Sequence, residues 1–175
     1  MSSVVCFVGS SGVGKTTVIE NLTIEFKARG YRIAVIKHAP HGFDIDRKGK
    51  DSWRFCQAGA DIIAIASRDR VCQIQQYAEE PNLERLIANV KRDVDLVLVE
   101  GFKHYPLPKI EVVRYPITHH LINDPEELLA FVCDRQLPFD LPQFGFQDTK
   151  AIANFLIQQL NSGALVAEVE KAIAP

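Results

Sequence analysis

Short runs of apolar residues recur along the chain and are separated by segments with helical periodicity. The apolar runs predict strands at 4–8, 31–38, 61–67, 71–77, 95–100, 110–114 and 128–133. Helices are predicted at 15–29, 52–60, 82–91 and 149–160. Continuous apolar strands that alternate with helices are typical of a mostly parallel sheet buried on both faces. The pattern therefore predicts a three-layer α/β fold with helices on both faces of the sheet.

The chain length suits one domain. It has 175 residues, enough for a single hydrophobic core, and no repeat, low-complexity stretch or clear linker divides it. We expect one domain over 1–175 that ends in a helical tail from about 148 to 175. The run 71–77 alternates polar and apolar residues, which favours a more exposed sheet edge. The loop 39–50 is long for a compact domain, and such loops are often functional.

Composition excludes several classes of protein. Lys and Arg total 20 against 22 Asp and Glu, so the net charge is −2, whereas a general nucleic-acid binder usually carries a basic excess. No apolar run is long enough to span a bilayer, and the first residues carry no basic leader. The four cysteines form no Cys-x-x-Cys pair. We expect a cytoplasmic protein with reduced thiols and with neither nucleic acid nor membrane as a partner.

The segment GSSGVGKTT, Gly9 to Thr17, matches the phosphate-binding pattern G-x-x-x-x-G-K-[ST]. It follows a predicted strand and opens a predicted helix, so glycines, backbone amides and the helix dipole would all favour a phosphate chain. We expect Lys15 to contact the outer phosphates and Thr16 to ligate Mg²⁺. The alternative, an ordinary glycine-rich turn, is less favoured because motif and context agree. This indicates a fold of the P-loop NTPase type.

Other predicted strands end in groups that suit the same site, because ligands of open α/β sheets lie at the carboxyl ends of the strands. Lys37 ends the second strand and offers a further charge for the phosphates; the alternative is a surface lysine. Glu100 ends the most apolar strand, in the Walker B pattern of an acid that holds a Mg²⁺-bound water. Asp134 follows the run 128–133 and offers a carboxylate for a guanine edge, although the full Asn-Lys-x-Asp pattern is absent.

The candidate site residues fall into four groups. Lys15 and Glu100 are the candidate catalytic residues, and Thr16 and Glu100 the candidate Mg²⁺ ligands. Asp134 is the candidate for base recognition. The candidate phosphate-binding residues are Gly9, Ser10, Ser11, Gly12, Val13, Gly14, Lys15, Thr16, Thr17 and Lys37.

Three further features bear on the chemistry. The segment 38–51 is rich in His and Asp but matches no zinc spacing, which favours a loop over the nucleotide or a partner. Three basic residues follow Glu100: Lys103, Lys109 and Arg114. They either bind another anion or lie on the solvent-exposed surface of a hairpin. No Arg or Gln lies in the phosphate loop, and an arginine finger is worth roughly 10³–10⁵ in rate. We therefore expect slow hydrolysis unless Arg47 or Arg54 contributes.

Two longer segments are more specific than the phosphate loop: KHAPHGFDIDRKGKDSWRFCQAGA and LVLVEGFKHYPLPKIEVVR. With the loop, their patterns KH-x-x-H-x-x-D-x-D and VEGFK-x-x-x-x-PKIE-V-x-R resemble the molybdopterin-guanine dinucleotide biosynthesis protein B family (MobB). The resemblance spans about Val4 to Asp134. The last forty residues carry no matching motif.

This resemblance implies a P-loop fold related to the dethiobiotin-synthetase group, with GTP as ligand, Mg²⁺ as cofactor, feeble hydrolysis and a homodimer. It implies an adaptor for the guanylyltransferase that attaches GMP to molybdopterin to form the guanine-dinucleotide form of the molybdenum cofactor. Whether molybdopterin itself binds stays open. Two alternatives remain: a small-molecule kinase, with 38–51 and Lys103 holding an acceptor, and a scaffold whose nucleotide only stabilises the fold.

Overall fold

The computed structural model describes residues 3–43 and 46–165, which form two compact units. The first unit is built from 3–38 and 83–165, and the second from the described residues between 39 and 82. A single domain over 1–175 stays a prediction, and its tail lies within the described residues only as far as 165. No helix among the described residues is long and apolar enough to cross a membrane.

The helices and strands follow the predicted order, with bounds that differ by a few residues. In chain order they are β1 (Ser3–Val8), α1 (Lys15–Ala28), β2 (Ile33–Lys37), α2 (Asp51–Gln57), β3 (Ile62–Ala66), β4 (Val71–Gln75), α3 (Leu83–Val90), β5 (Leu96–Glu100), β6 (Lys109–Val113), β7 (Leu128–Cys133), β8 (Gln143–Phe144) and α4 (Thr149–Asn161). Of these, β8 alone has no counterpart in the sequence-based prediction, because two residues are too few for a periodic pattern.

Six parallel strands form the sheet of the first unit, in the order β2-β5-β1-β6-β7-β8. Nearly every residue of β1, β5, β6 and β7 is buried, because a parallel sheet is covered on both faces. The predicted fold class, a mostly parallel sheet with helices on both faces, is confirmed.

Each face of this sheet has its own apolar core, since alternate residues of a strand point to opposite faces. One face is covered by α1 and α4, whose buried side chains there are Val18, Ile19, Leu22, Phe26, Ile152, Ala153 and Leu156. The other face is covered by α3 through Leu83 and Ile87. Burial in this second core raises the pKa of Cys6 to about 12, so its thiol stays protonated, and all four cysteines are free.

The second unit contains α2 and an antiparallel pair, β3 and β4, with Ile63 opposite Ile74. The run 71–77 thus lies in a two-stranded sheet of its own, in which each strand is an edge. Its alternating pattern reflects one face that is more buried than the other. Several large apolar side chains of this unit are exposed: Phe43, Phe55, Ile62, Ile65 and Val71.

Two charged side chains of the PKIE segment are buried in β6. Lys109 is only 4% exposed, and its Nζ lies 3.4 Å from Glu127 Oε2. Glu111 is fully buried, and its carboxylate accepts hydrogen bonds from the N–H groups of Ile122 (2.7 Å) and Asn123 (3.1 Å). These contacts hold the segment before β7 against the sheet, so the two motif residues contribute to the stability of the fold.

Replacing Glu111 with Gln should destabilise the protein by about 1–3 kcal/mol, because a carboxyl group presents two oxygen acceptors to the two buried N–H groups in either protonation state, whereas an amide presents only one. Urea unfolding followed by circular dichroism measures the change. Glu126→Gln is the matched control, since Glu126 is exposed in the turn before β7. Equal stability of the Glu111 and Glu126 variants would contradict a structural role for Glu111.

This destabilisation should also depend on pH. Burial raises the pKa of Glu111, against the opposing effect of the two amide hydrogen bonds. The folded protein therefore keeps this proton at pH values where the unfolded chain has released it, and the stabilising contribution is complete only below the ordinary pKa of glutamate. It is lost as pH rises through the raised pKa. The stability difference between wild type and Glu111→Gln should shrink over that interval and be constant on either side.

Candidate nucleotide-binding site

The loop between β1 and α1 has the backbone conformation that only glycines adopt easily. Gly9, Gly12 and Gly14 have φ values of 140°, 79° and 105°. A Cβ on Gly9 would lie 2.4 Å from the carbonyl oxygen of Val112 in the neighbouring β6, so no other residue fits there. Val13 is fully buried and anchors the middle of the loop in the core beneath α1. The base of the loop is thus fixed by β6 on one side and by the core on the other.

The N-terminus of α1 is suited to an anion. Its N-cap is Gly14, which makes no side-chain capping hydrogen bond, and its first turn carries no acidic residue. Helix starts usually satisfy their first amides with a capping side chain, and acidic residues there compete with an anionic ligand. The amides of this first turn are therefore available to the oxygens of a phosphate group.

Lys15 lies across the loop. Its Nζ donates hydrogen bonds to the carbonyl oxygens of Gly9 (2.9 Å) and Ser10 (2.8 Å). Burial lowers the pKa of Lys15, and the nearby Glu100 carboxylate opposes that shift. The loop from Gly9 to Thr17 and the start of α1 form a concave surface, which we call the cradle. The Lys15 ammonium thus lies at the rim of this cradle, where the sequence motif predicts it. Its phosphate contact stays a prediction, as do those of Ser11 and Thr17, which are exposed.

Glu100 and Thr16 meet at the carboxyl end of β5. Parallel pairing sets Glu100 opposite Phe7 of β1 and Lys37 of β2. The Thr16 hydroxyl donates to the Glu100 carboxylate, with Oγ1 at 2.9 Å from Oε2 and 3.1 Å from Oε1. Lys37 Nζ contacts both partners, at 3.1 Å from Glu100 Oε1 and 3.3 Å from Thr16 Oγ1.

This arrangement suits a hard cation. A hydroxyl and a carboxylate are oxygen ligands of the kind that Mg²⁺ prefers, and Mg²⁺ in nucleotide sites commonly takes only one or two protein ligands beside phosphate oxygens. The Lys37 ammonium already lies on this oxygen pair as a cation would. The residues present therefore fit the metal, although their role as ligands stays a prediction. Among the described residues no cluster of three His, Cys, Asp or Glu groups forms a separate metal site.

The KH and EGF segments of the two longer motifs come together beside Glu100. The His38 ring stacks on Phe102 with ring centroids 4.5 Å apart, and the His38 N–H donates to the Glu100 carbonyl oxygen at 2.9 Å. Gly101 has φ 97°, and a Cβ there would lie 2.9 Å from His38 Cβ. Phe102 also has positive φ, 53°, which is uncommon for a bulky residue. These contacts fix the turn that carries Glu100.

On the opposite side of β1, the ends of β6 and β7 carry a second set of side chains. The Arg114 guanidinium lies over the Phe146 ring, and that of Arg135 lies over the Tyr115 ring. The Asp134 carboxylate is exposed and accepts the Tyr115 N–H at 3.1 Å. It keeps further lone pairs, so base recognition by Asp134 stays a prediction.

The three basic residues after Glu100 do not share one environment. Lys109 is buried in β6, Lys103 is exposed, and Arg114 lies beside the phosphate loop. The hairpin alternative is wrong, because β5 and β6 are parallel and β1 lies between them. Sequence reasoning did not connect Arg114 with the phosphate loop; its place in the V-x-R end of the longer motif is a signal that could have drawn attention to it. A contribution of Arg47 or Arg54 to hydrolysis stays a prediction.

A strand, a glycine loop that opens a helix, and an acid on the adjacent strand together define a P-loop nucleotide-binding fold. The family described as molybdopterin guanine dinucleotide synthesis protein B (MobB) matches residues 4–134, and this chain belongs to that family. This confirms the resemblance.

Individual relatives agree with the family match. The chain is 38% identical to the molybdopterin-guanine dinucleotide biosynthesis adapter protein of Haemophilus influenzae, over 85% of this chain and 84% of the relative. It is 34% identical to the protein of that name from Escherichia coli, over 90% and 93%. A crystal structure of molybdopterin-guanine biosynthesis protein B (mobB) is 30% identical, with a TM-score of 0.71 over 90% of this chain and 99% of that one.

Replacing Glu100 with Gln should weaken Mg²⁺-dependent nucleotide binding about 10- to 100-fold, because the amide keeps the shape of the side chain but loses the charge. Binding in the presence of a chelator should change about threefold or less by the same reasoning, since no metal contact is then lost. Calorimetric titrations of GTP with and without Mg²⁺ make the comparison. Glu20→Gln, at an exposed position of α1, is the control. Equal losses in both conditions would assign Glu100 to structure alone.

Proposed function

We propose that this protein is a GTP-binding adaptor of molybdenum cofactor biosynthesis in the cytoplasm. It assists the guanylyltransferase that converts molybdopterin to its guanine-dinucleotide form. Family membership and the names of the two relatives support the pathway and the adaptor role. The observation that carries the nucleotide-binding part is the contact between Thr16 and Glu100, 2.9 Å apart beside the uncapped start of α1.

The phosphate chain of GTP is proposed to lie along the loop from Gly9 to Thr17. Its outer end would face Lys15 and Lys37, whose ammonium groups lie at the rim of the cradle. Thr16 and Glu100 would hold Mg²⁺, which neutralises charge on the outer phosphates when bound. Lys37 would then exchange its contacts with this oxygen pair for phosphate oxygens, because two cations do not share the same two ligands closely.

Hydrolysis by the protein alone is proposed to be slow. Lys15, Thr16, Lys37 and Glu100 make hydrogen bonds and ion pairs with one another and with loop carbonyls. None of their partners among the described residues is an arginine or a glutamine. Those are the residues that usually stabilise the transition state or orient the attacking water, and an arginine finger is worth roughly 10³–10⁵ in rate. The site therefore holds a nucleotide better than it cuts one.

Partner binding has support in the second unit. Phe43 in its loop, Phe55 in its short helix, and Ile62 and Val71 in its two-stranded sheet are exposed. A lone two-stranded sheet is marginally stable, and exposed apolar side chains concentrated in one small unit mark an interaction surface. This supports the proposed homodimer and the proposed contact with the transferase, both of which follow from the family resemblance.

Adding the protein to the partner transferase should raise formation of the guanine-dinucleotide cofactor at limiting GTP. Lys15→Ala should abolish this stimulation, because it removes the charge at the rim of the phosphate loop. The measurement is cofactor formed per unit time with wild type, the variant or buffer. Lys150→Ala, at an exposed position of α4, is the matched control and should stimulate as wild type does.

Three results are informative, one from this assay and two from parallel measurements of GTP turnover and of phosphate transfer. Equal stimulation by wild type and Lys15→Ala would leave an adaptor that needs no nucleotide. Rapid GTP turnover by this protein alone, without effect on the transferase, would contradict the adaptor role. Transfer of labelled phosphate from GTP to a small acceptor would favour the kinase alternative instead.

Guanine selectivity should depend on Asp134. A carboxylate accepts hydrogen bonds from the N1–H and the 2-amino group of guanine. Asp134→Asn should therefore weaken GTP binding about 10-fold or more and leave the affinity for ATP, measured by competition, unchanged. The affinity of Asp134→Asn for xanthosine triphosphate should exceed that of wild type, because an amide can donate a hydrogen bond to the 2-oxo group of xanthine. Asn keeps an acceptor for the Tyr115 N–H, and Asp140→Asn, at an exposed position after β7, is the control. Equal competition by ATP and GTP in wild type would contradict the selectivity.

A further inference from the structure

Arg114 lies against the phosphate loop although it comes 100 positions after Gly14 in the sequence. It is the first residue after β6, the strand that pairs with β1 on the side away from β5. A Cβ built on Gly14 would lie 3.2 Å from Arg114 Nη2 and 3.3 Å from Phe146 Cε1. The missing side chain at Gly14 is therefore what lets the guanidinium and the ring approach the start of α1.

The position of Arg114 is fixed by contacts at both ends of the residue. Its backbone N–H donates to Thr118 Oγ1 at 3.1 Å, and its carbonyl oxygen accepts from the Thr118 N–H at 2.7 Å. Its guanidinium carbon lies 4.0 Å from the centre of the Phe146 ring. A guanidinium stacked on a ring keeps its N–H donors in the plane, directed away from the ring. The group is thus held in place but its donors are not used by the ring.

No described residue matches the charge of Arg114. Its Nε is buried and has no hydrogen-bond partner, and the guanidinium forms no ion pair with any described residue. A buried N–H group without a hydrogen-bond partner destabilises the folded state. An arginine with a structural role normally donates several of its five N–H groups to carboxylates or carbonyls. Stacking on Phe146 accounts for where the side chain lies and not for its unpaired donors.

The side of the loop on which Arg114 lies determines which phosphate it can reach. Thr16, Lys37 and Glu100 cluster where β2 and β5 end, on one side of β1. Arg114 comes from β6, on the other side, next to Gly14. A phosphate chain whose outer end lies at the metal ligands and Lys37 crosses the mouth of the loop toward β6. Its inner end, next to the sugar, would then lie near Arg114.

We propose that Arg114, supported by Phe146, pairs with an inner phosphate of the bound nucleotide, one that GTP and GDP share. Arg114 is then a nucleotide-contacting residue that positions the inner end of the chain, while Lys37 acts on the outer end. Planar guanidinium donors match two oxygens of one phosphate, which a lysine cannot do. This inference rests on the proposed nucleotide-binding function and adds a residue to it.

The test compares GTP with GDP, because both carry the inner phosphate and only GTP carries the outermost one. Arg114→Gln should weaken both by the same factor, roughly 10- to 100-fold. Lys37→Gln should weaken GTP more than GDP. Arg92→Gln, at an exposed position of the turn Lys91–Asp93, should change neither. Calorimetry measures the affinities, and thermal unfolding without nucleotide checks that each variant is folded.

Arg114→Lys tests whether the charge of Arg114 alone is sufficient or whether its planar donors are also needed. It also replaces Arg114→Gln as the test if that variant does not fold. It keeps the charge but loses the planar pair of donors, so GTP and GDP should both weaken, by roughly 3- to 10-fold. A merely structural contact with Phe146 would make Lys as harmful as Gln, because lysine does not stack as guanidinium does. If Arg114→Lys binds both GTP and GDP more tightly than Arg114→Gln does, the result supports the pairing of Arg114 with a phosphate.

Four results would overturn this inference. Wild-type affinity in Arg114→Gln, or in Arg114→Lys if only that variant folds, together with loss of binding in Lys15→Ala, would remove Arg114 and leave the proposed function intact. A much larger loss for GTP than for GDP in Arg114→Gln would place Arg114 at the outer end instead. Equal losses in Arg114→Lys and Arg114→Gln would make the contact structural. Absence of nucleotide binding by wild type would reject the proposed function itself, and this inference with it.

Discussion

Parallel pairing of β1 with β5 on one side and β6 on the other is the constraint on which the rest of the site depends. The register sets Glu100 opposite Phe7 and brings Val112 against Gly9. Because all strands of this sheet run in one direction, the residues that follow them gather at a single edge. A shift of one residue in either pairing would turn Glu100 to another face and push the Val112 carbonyl into the loop.

The strand β6, which approaches the phosphate loop, also carries two buried charged side chains. Lys109 and Glu111 lie on the face opposite the core of α1, and each is matched by a group from the segment that leads into β7. Burial of an unmatched charge would be costly, whereas a paired or hydrogen-bonded one fixes a single arrangement. The strand that contacts the phosphate loop is in this way held from its far side.

Charge is distributed unevenly around the loop. Lys15 and Lys37 face one carboxylate, Glu100, and Arg114 faces none among the described residues. The cradle therefore carries more positive than negative charge, although the whole chain has a net charge of −2. Such a local excess, with the uncapped start of α1, favours a polyanion over a neutral ligand. It also explains why the overall charge said so little about the site.

Local sequence determined most of the strands and helices and, within the site, the phosphate loop. The phosphate loop lies in nine consecutive residues, and the conformations of Gly9, Gly12 and Gly14 depend on their own lack of a side chain. Apolar runs identified every strand of the sheet except β8, because burial on both faces requires an apolar residue at nearly every position.

The tertiary structure decided what depends on strand order and register, since residues far apart in sequence meet only through them. Local pattern did not distinguish Lys109, which is buried, from Lys103, which is exposed. It also did not place β3 and β4 in a separate sheet or bring Arg114 and Phe146 to Gly14. The sequence alone determined the phosphate loop and its helix because their geometry is set by neighbouring residues. The two sides of that loop were decided by the sheet, because hydrogen bonding between distant strands chooses which side chains reach it.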